Sequence, residues 1–194
     1  MTSLDFEGEY GRTYARTIRH SIPAYDALLD IAAATLAANA ASATTALVVG
    51  PGLGEELPGM LSALPEARFT LLEPSEQMAR GCAAVIARED AGDRCRLLGQ
   101  LTARVAPGGL LLLSSYSEPA EAEACARMLA IGESRLRQLG MAEDTLRQFM
   151  AARNTLVFSL DQALLAEELT AGGLEPPQPL LQALGSRMWL SRRG

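Results

Sequence analysis

ALVVGPGLGEEL, residues 46–57, joins an apolar run to a helical pattern through three glycines at alternate positions, Gly50, Gly52 and Gly54. Ala46 to Val49 reads as a short strand. Glu55 to Leu64 reads as the helix after it, with a first turn weakened by Pro58 and Gly59 and a stop at Pro65. A glycine turn between a parallel strand and a helix brings backbone close to a ligand and aims the helix N-terminus at it. Here Glu55 and Glu56 stand where a dinucleotide fingerprint places its last glycine, so a pyrophosphate would meet two carboxylates. The turn therefore disfavours a phosphate ligand.

Moving outward, Phe69 to Leu72 is a second strand, and Glu73 ends it in the run TLLEPSEQM, 19 residues beyond Gly54. An acid at that point accepts both hydroxyls of an adenosine ribose. The plainer alternative is a solvated glutamate before a helix that Ser75 caps and that runs to about Arg88. Arg94 to Leu98 is a weaker third strand, Gln100 to Val105 a helical turn or two ended by Pro107, Gly108 and Gly109, and Leu110 to Ser114 an apolar strand. Upstream, residues 12–40 read as helix with a restart near Ser21, where Ser21 and Pro23 offer a cap and a first-turn proline. Downstream, 119–139, 142–152 and Ser159 to Leu169 are helical by period, with Asp161 in the first turn of the last. The tail reads as a hairpin whose second arm is Arg187 to Ser191. This alternation predicts an α/β fold with a doubly wound sheet.

The chain has 194 residues, enough for one domain spanning 1–194, and 48% of them are apolar without approaching the roughly 20 uninterrupted apolar residues of a membrane span. MTSLDFEGEYGR at the start has neither a basic nor an apolar signal region, so a cytoplasmic location is expected. A net charge of -6 argues against a general nucleic-acid surface. Cys82, Cys95 and Cys125 lie far apart and read as buried thiols, and with His20 the sole histidine no metal site is expected.

VVGPGLG, LLEPSEQM and RVAPGGLLLLS, taken in that order, resemble the class I S-adenosylmethionine-dependent methyltransferases over roughly residues 10–194. The stretch RHSIPAYDALLDI is similar to the subgroup around the carboxy-S-adenosylmethionine synthases, in which the tyrosine after the proline, here Tyr25, reaches the cofactor. The resemblance implies a Rossmann-like methyltransferase sheet with N-terminal helices and a C-terminal β-hairpin, and a helical lid insertion at about 119–155. It also implies S-adenosylmethionine as cofactor, held by Tyr25, Gly50, Pro51, Gly52, Gly54, Glu73 and Met78. The acceptor would be a small molecule, and a homodimer is compatible with the pattern.

The chain departs from the family in two places. The family's acid two residues before the first glycine is replaced by Val48. Between CRLLGQ and LTARVAPGG the family's fourth strand and at least one helix are absent, on the order of 30 residues. The strand beside the first should then be missing, leaving an unpaired central edge unless Leu110 to Ser114 moves in beside Ala46 to Val49. A sequence that has lost a segment, or a degenerate protein, would account for the gap as well. Catalytic bases are poorly indicated: the candidates are His20, the sole histidine, and Tyr116, which follows the strand after Gly109. The alternative to methyl transfer is a noncatalytic homologue that binds cofactor or a partner. An oxidoreductase using a dinucleotide conflicts with Glu55 and Glu56.

Overall fold

Tyr25 to Asn39 forms a helix that packs on the antiparallel strands of the second half of the chain and on the helix Leu57–Ala63. A computed structural model describes residues 9–73, 75, 99–151 and 159–194. In chain order the elements are α1 (Glu9–Ser21), α2 (Tyr25–Asn39), β1 (Thr45–Val49), α3 (Leu57–Ala63), β2 (Arg68–Leu72), a helical segment over 99–104, β3 (Leu110–Tyr116), α4 (Ala122–Gln138), α5 (Glu143–Ala151), α6 (Gln162–Ala171), β4 (Gln178–Ala183) and β5 (Ser186–Arg192). The helix expected from Ser75 to Arg88 and the strand expected from Arg94 to Leu98 lie outside the described residues, as do Met78, Cys82 and Cys95.

The N-terminal helix does break at Ser21, but the expected cap is not made. The hydroxyl of Ser21 donates back to the Thr17 carbonyl at 3.0 Å, and α2 starts after Ala24, which has a left-handed backbone (φ 59°) and no side-chain cap bond. Proline lacks the N–H that a continuing helix would use, and α1 and α2 meet at 91°. In α3, Pro58 stands in the first turn, where its missing N–H costs nothing, and Gly59 lets α3 approach Ala33 of α2. Asp161 caps α6 by accepting from the N–H groups of Ala163 and Leu164.

The described strands form two sheets. β1 and β2 are parallel, and β3, β5 and β4 form an antiparallel sheet in that order. The strand β3 pairs with β5, Leu112 facing Leu190, and does not move in beside β1. Pairing with β5 fills one edge of β3 along its whole length, and among the described residues no strand lies on its other edge. Among the described residues β1 therefore has a strand partner on one edge only, and its Leu47 and Val49 are exposed.

Side-chain alternation in β3 and β5 builds a core on each face of the antiparallel sheet. On one face Leu111, Leu113 and Trp189 meet Leu165 and Leu169 of α6. The indole N–H of Trp189 donates to the Ser115 hydroxyl at 3.0 Å, so its polar edge is satisfied. On the other face Leu112 and Met188 meet Leu28 and Ala32 of α2, together with Met60 of α3. The result is an α/β layer with helices on both sides. Among the described residues no single helix is long and apolar enough to cross a membrane, and α1 with α2 reaches that length only across the bend.

Leu165 is 1% exposed and Leu164, its neighbour in α6, 42%. Leu165→Ala is expected to cost about 2–5 kcal/mol of stability. Leu164→Ala should stay within about 0.5 kcal/mol of the parent, both measured by urea unfolding.

Candidate functional site

Parallel pairing in register sets Val49 against Leu72, so the chain leaves β1 at Gly50 and β2 at Glu73 on the same side, about one strand spacing of 4.8 Å apart. The Gly50 N–H donates to the Leu72 carbonyl at 2.7 Å. Beyond it the backbone takes left-handed φ values at Gly50, Gly52 and Gly54 (69°, 58° and 74°), which side chains with a Cβ rarely adopt. That accounts for glycine at alternate positions. The turn is closed by Gly54 N–H to the Pro51 carbonyl (2.8 Å) and Leu57 N–H to the Gly54 carbonyl (3.0 Å).

Glu73 locks the turn to the second strand. One carboxylate oxygen accepts the Gly52 N–H at 2.8 Å and the other the Ser75 N–H at 3.0 Å, with the residue only 5% exposed. Two charge-assisted bonds offset the cost of burying the carboxylate, and each oxygen retains a lone pair for a further donor. In front of Gly50 there is open space among the described residues: a Cβ placed there would meet none of them within 4 Å. A buried acid beside a glycine cradle with room before it suits a neutral polyol edge such as a ribose.

The surroundings are acidic. Glu56 has its carboxyl raised above the ordinary range, chiefly by burial and further by Glu55 and Glu73. Tyr25, the first residue of α2, has its phenol pushed above the usual tyrosine range by burial and then by the charges of Glu55 and Glu56. Its ring lies under the Arg19 guanidinium, 5.4 Å from carbon to centroid. Arg19 in turn donates to Glu55 Oε1 at 2.8 Å.

Of the residues singled out from sequence, the structure brings Gly50, Pro51, Gly52, Gly54 and Glu73 together and sets Tyr25 beside the acids that follow them. His20 ends up in the last turn of α1, where its carbonyl, not its imidazole, accepts from Arg135. Tyr116 closes β3: its hydroxyl donates to Glu118 at 2.9 Å and its ring covers Gly185, where no side chain would fit. Val48 is half-buried in β1. Arg19 and Arg135 were not legible as site residues, because their partners lie 36 and 115 positions away in sequence. Among the described residues no group of three potential metal ligands converges, and the Cys125 thiol lies 3.6 Å from Glu118.

No family model matches the sequence. Over 71 residues the chain is 42% identical to ribosomal protein L11 methyltransferase of Geobacter sp. (strain M21), a match covering 37% of this chain and 22% of that protein. Among solved structures it resembles an O-methyltransferase family protein from Burkholderia thailandensis, with TM-score 0.62, 13% identity, and coverage of 100% of this chain and 64% of that one. It also resembles human N-acetylserotonin methyltransferase, solved in complex with S-adenosylmethionine, with TM-score 0.58, 12% identity, and coverage of 97% and 57%. The chain thus spans about a fifth of the curated relative and about three-fifths of these two structures. Its fold is the Rossmann-like α/β fold of such methyltransferases.

The raised carboxyl of Glu56 has a measurable consequence. A folded-state value above the ordinary 4.5 means the folded protein holds this proton more tightly than the unfolded chain. Its contribution is fully present at low pH and is lost as pH rises from the ordinary value through the raised one. Glu56→Gln should therefore gain on the parent in urea midpoint as pH is taken from about 4 to about 7. A gap that stays constant across that range would show that the carboxyl is not perturbed.

Proposed function

We propose that the chain binds S-adenosylmethionine at the glycine turn and transfers its methyl group to a small-molecule acceptor. The observation carrying this reading is Glu73, a buried carboxylate tied to Gly52 and Ser75 with open space before Gly50. The likeness in fold to methyltransferases, one of them solved with this cofactor, supports it. When bound, the cofactor supplies a sulfonium methyl open to in-line attack by a nucleophilic atom of the acceptor.

The residues of this chain divide the remaining work. Glu73 accepts the ribose hydroxyls while its bonds to Gly52 and Ser75 keep it oriented. Gly50, Pro51, Gly52 and Gly54 let the backbone approach the methionine portion. Glu55 and Glu56 give the turn a negative field that favours a cation and repels a pyrophosphate. Tyr25 borders the same space from α2, and helices α4 and α5 act as the lid that seats the acceptor and excludes water. With the cofactor carrying the reactivity, alignment is the main task of the protein, and no strong general base is required for an acidic acceptor. A hydroxyl-bearing acceptor is the reading we favour, in keeping with the O-methyltransferase family protein among the similar folds.

Calorimetry on the full chain tests the reading. S-adenosylhomocysteine should bind, and Glu73→Gln should weaken it about ten- to a hundredfold, as expected for losing charge-assisted hydrogen bonds. No affinity for either form of the cofactor would overturn the proposal. Binding without methylated product across a panel of phenols and other hydroxylated acceptors would instead identify a noncatalytic homologue.

A further inference from the structure

The polar contacts of α1 run in two directions. Its last turn exposes carbonyls that have no helical partner, and Arg135 of α4 donates to two of them, His20 O at 2.5 Å and Arg19 O at 3.2 Å. The side chain of Arg19 points to the glycine turn. Its Nη1 donates to Glu55 Oε1 and to the Ala15 carbonyl, both at 2.8 Å, while Nε bonds Asp26 at 3.0 Å and the guanidinium covers the Tyr25 ring. Glu55 directly follows Gly54. A continuous set of bonds therefore leads from α4, through the end of α1, to the residue after the last glycine.

We propose that Arg19 is a positioning residue and that Arg135 is the second member of the same tie, so that the seating of α4 and the geometry of the glycine turn are coupled. The inference rests on the reading of that turn as a cofactor site. Arg19 reaches its three carboxylate and carbonyl partners only by spreading a planar fork between them, a geometry that lysine cannot reproduce. Because Arg19 grips Glu55 from outside the turn, it limits the freedom of Gly54 without occupying the space before Gly50. Arg135 keeps the end of α1 in place so that the fork stays aimed. Cofactor binding, which needs an ordered turn, then favours the seated position of α4, and seating favours binding by the same factor.

A mere helix cap at Arg135 would change thermal stability and nothing at the turn, so the test reads the turn. On the full-length chain, S-adenosylhomocysteine affinity is measured for the parent, Arg135→Met, Glu55→Gln and the double variant. Each single change is expected to weaken binding about fivefold, and the double variant no more than the worse single one, because both break one tie. Unchanged affinity in Arg135→Met, or losses that multiply in the double variant, would overturn the proposal. Arg135→Lys, which keeps one donor, should fall between parent and Met and serves if the Met variant does not fold. Hydrogen exchange on the ligand-free protein supplies an independent reading: amides over residues 50–57 should exchange about fivefold faster in Arg135→Met. Equal exchange rates overturn the coupling even where the parent binds no S-adenosylhomocysteine, an outcome that would separately refute the cofactor reading.

Discussion

The interaction on which the site depends is the pair of hydrogen bonds that Glu73 accepts from Gly52 and Ser75. It exists because β1 and β2 are parallel and in register, so the glycine turn and the acid emerge on one side, a strand spacing apart. Neither part would hold its shape alone. Without the carboxylate, three residues in left-handed conformation would be fixed only by backbone bonds. Without the turn, a glutamate as buried as Glu73 would carry its charge with a single N–H for company.

Much of this was legible in the sequence, and the reason is that it is local. The strand at Ala46 to Val49, the turn, the second strand and its terminal acid are each encoded within a few residues, and the separation of Gly54 from Glu73 is a single strand–helix–strand step. The terminal hairpin was equally readable from its prolines and apolar arm. What was not legible is non-local. The expectation that Ser21 would cap the second helix failed because its hydroxyl found the Thr17 carbonyl within its own helix, a competition that a residue pattern does not rank. Nothing in the residue pattern sets Arg19 apart, and only the fold places Glu55 opposite it.

Shortening the connection before Leu110 invited the expectation that this strand would pair with β1. Among the described residues β3 instead pairs with β5 alone, with a seven-residue antiparallel ladder on one edge and apolar cover on both faces. The strand β1 keeps one partner, and its outward positions Leu47 and Val49 are bare to a degree unusual for the first strand of such a sheet.

Backbone pairing does not join the two described sheets, and α2 packs on the antiparallel one and on the helix that links β1 to β2. Leu28 and Ala32 pack on Met188 and Leu112 of the antiparallel sheet, while Met60 and Gly59 bring α3 against the same helix. Apolar contact of this kind is strong but non-directional, and it tolerates small rotations that a hydrogen-bond ladder would forbid. Orientation must then come from polar contacts. The fork of Arg19 on Glu55 and Asp26, steadied by Arg135, supplies direction where the ladder is missing, at the edge of the turn whose geometry the chemistry needs most. The ligand-binding end can in this way stay ordered, with helices carrying a constraint that strand pairing among the described residues does not supply.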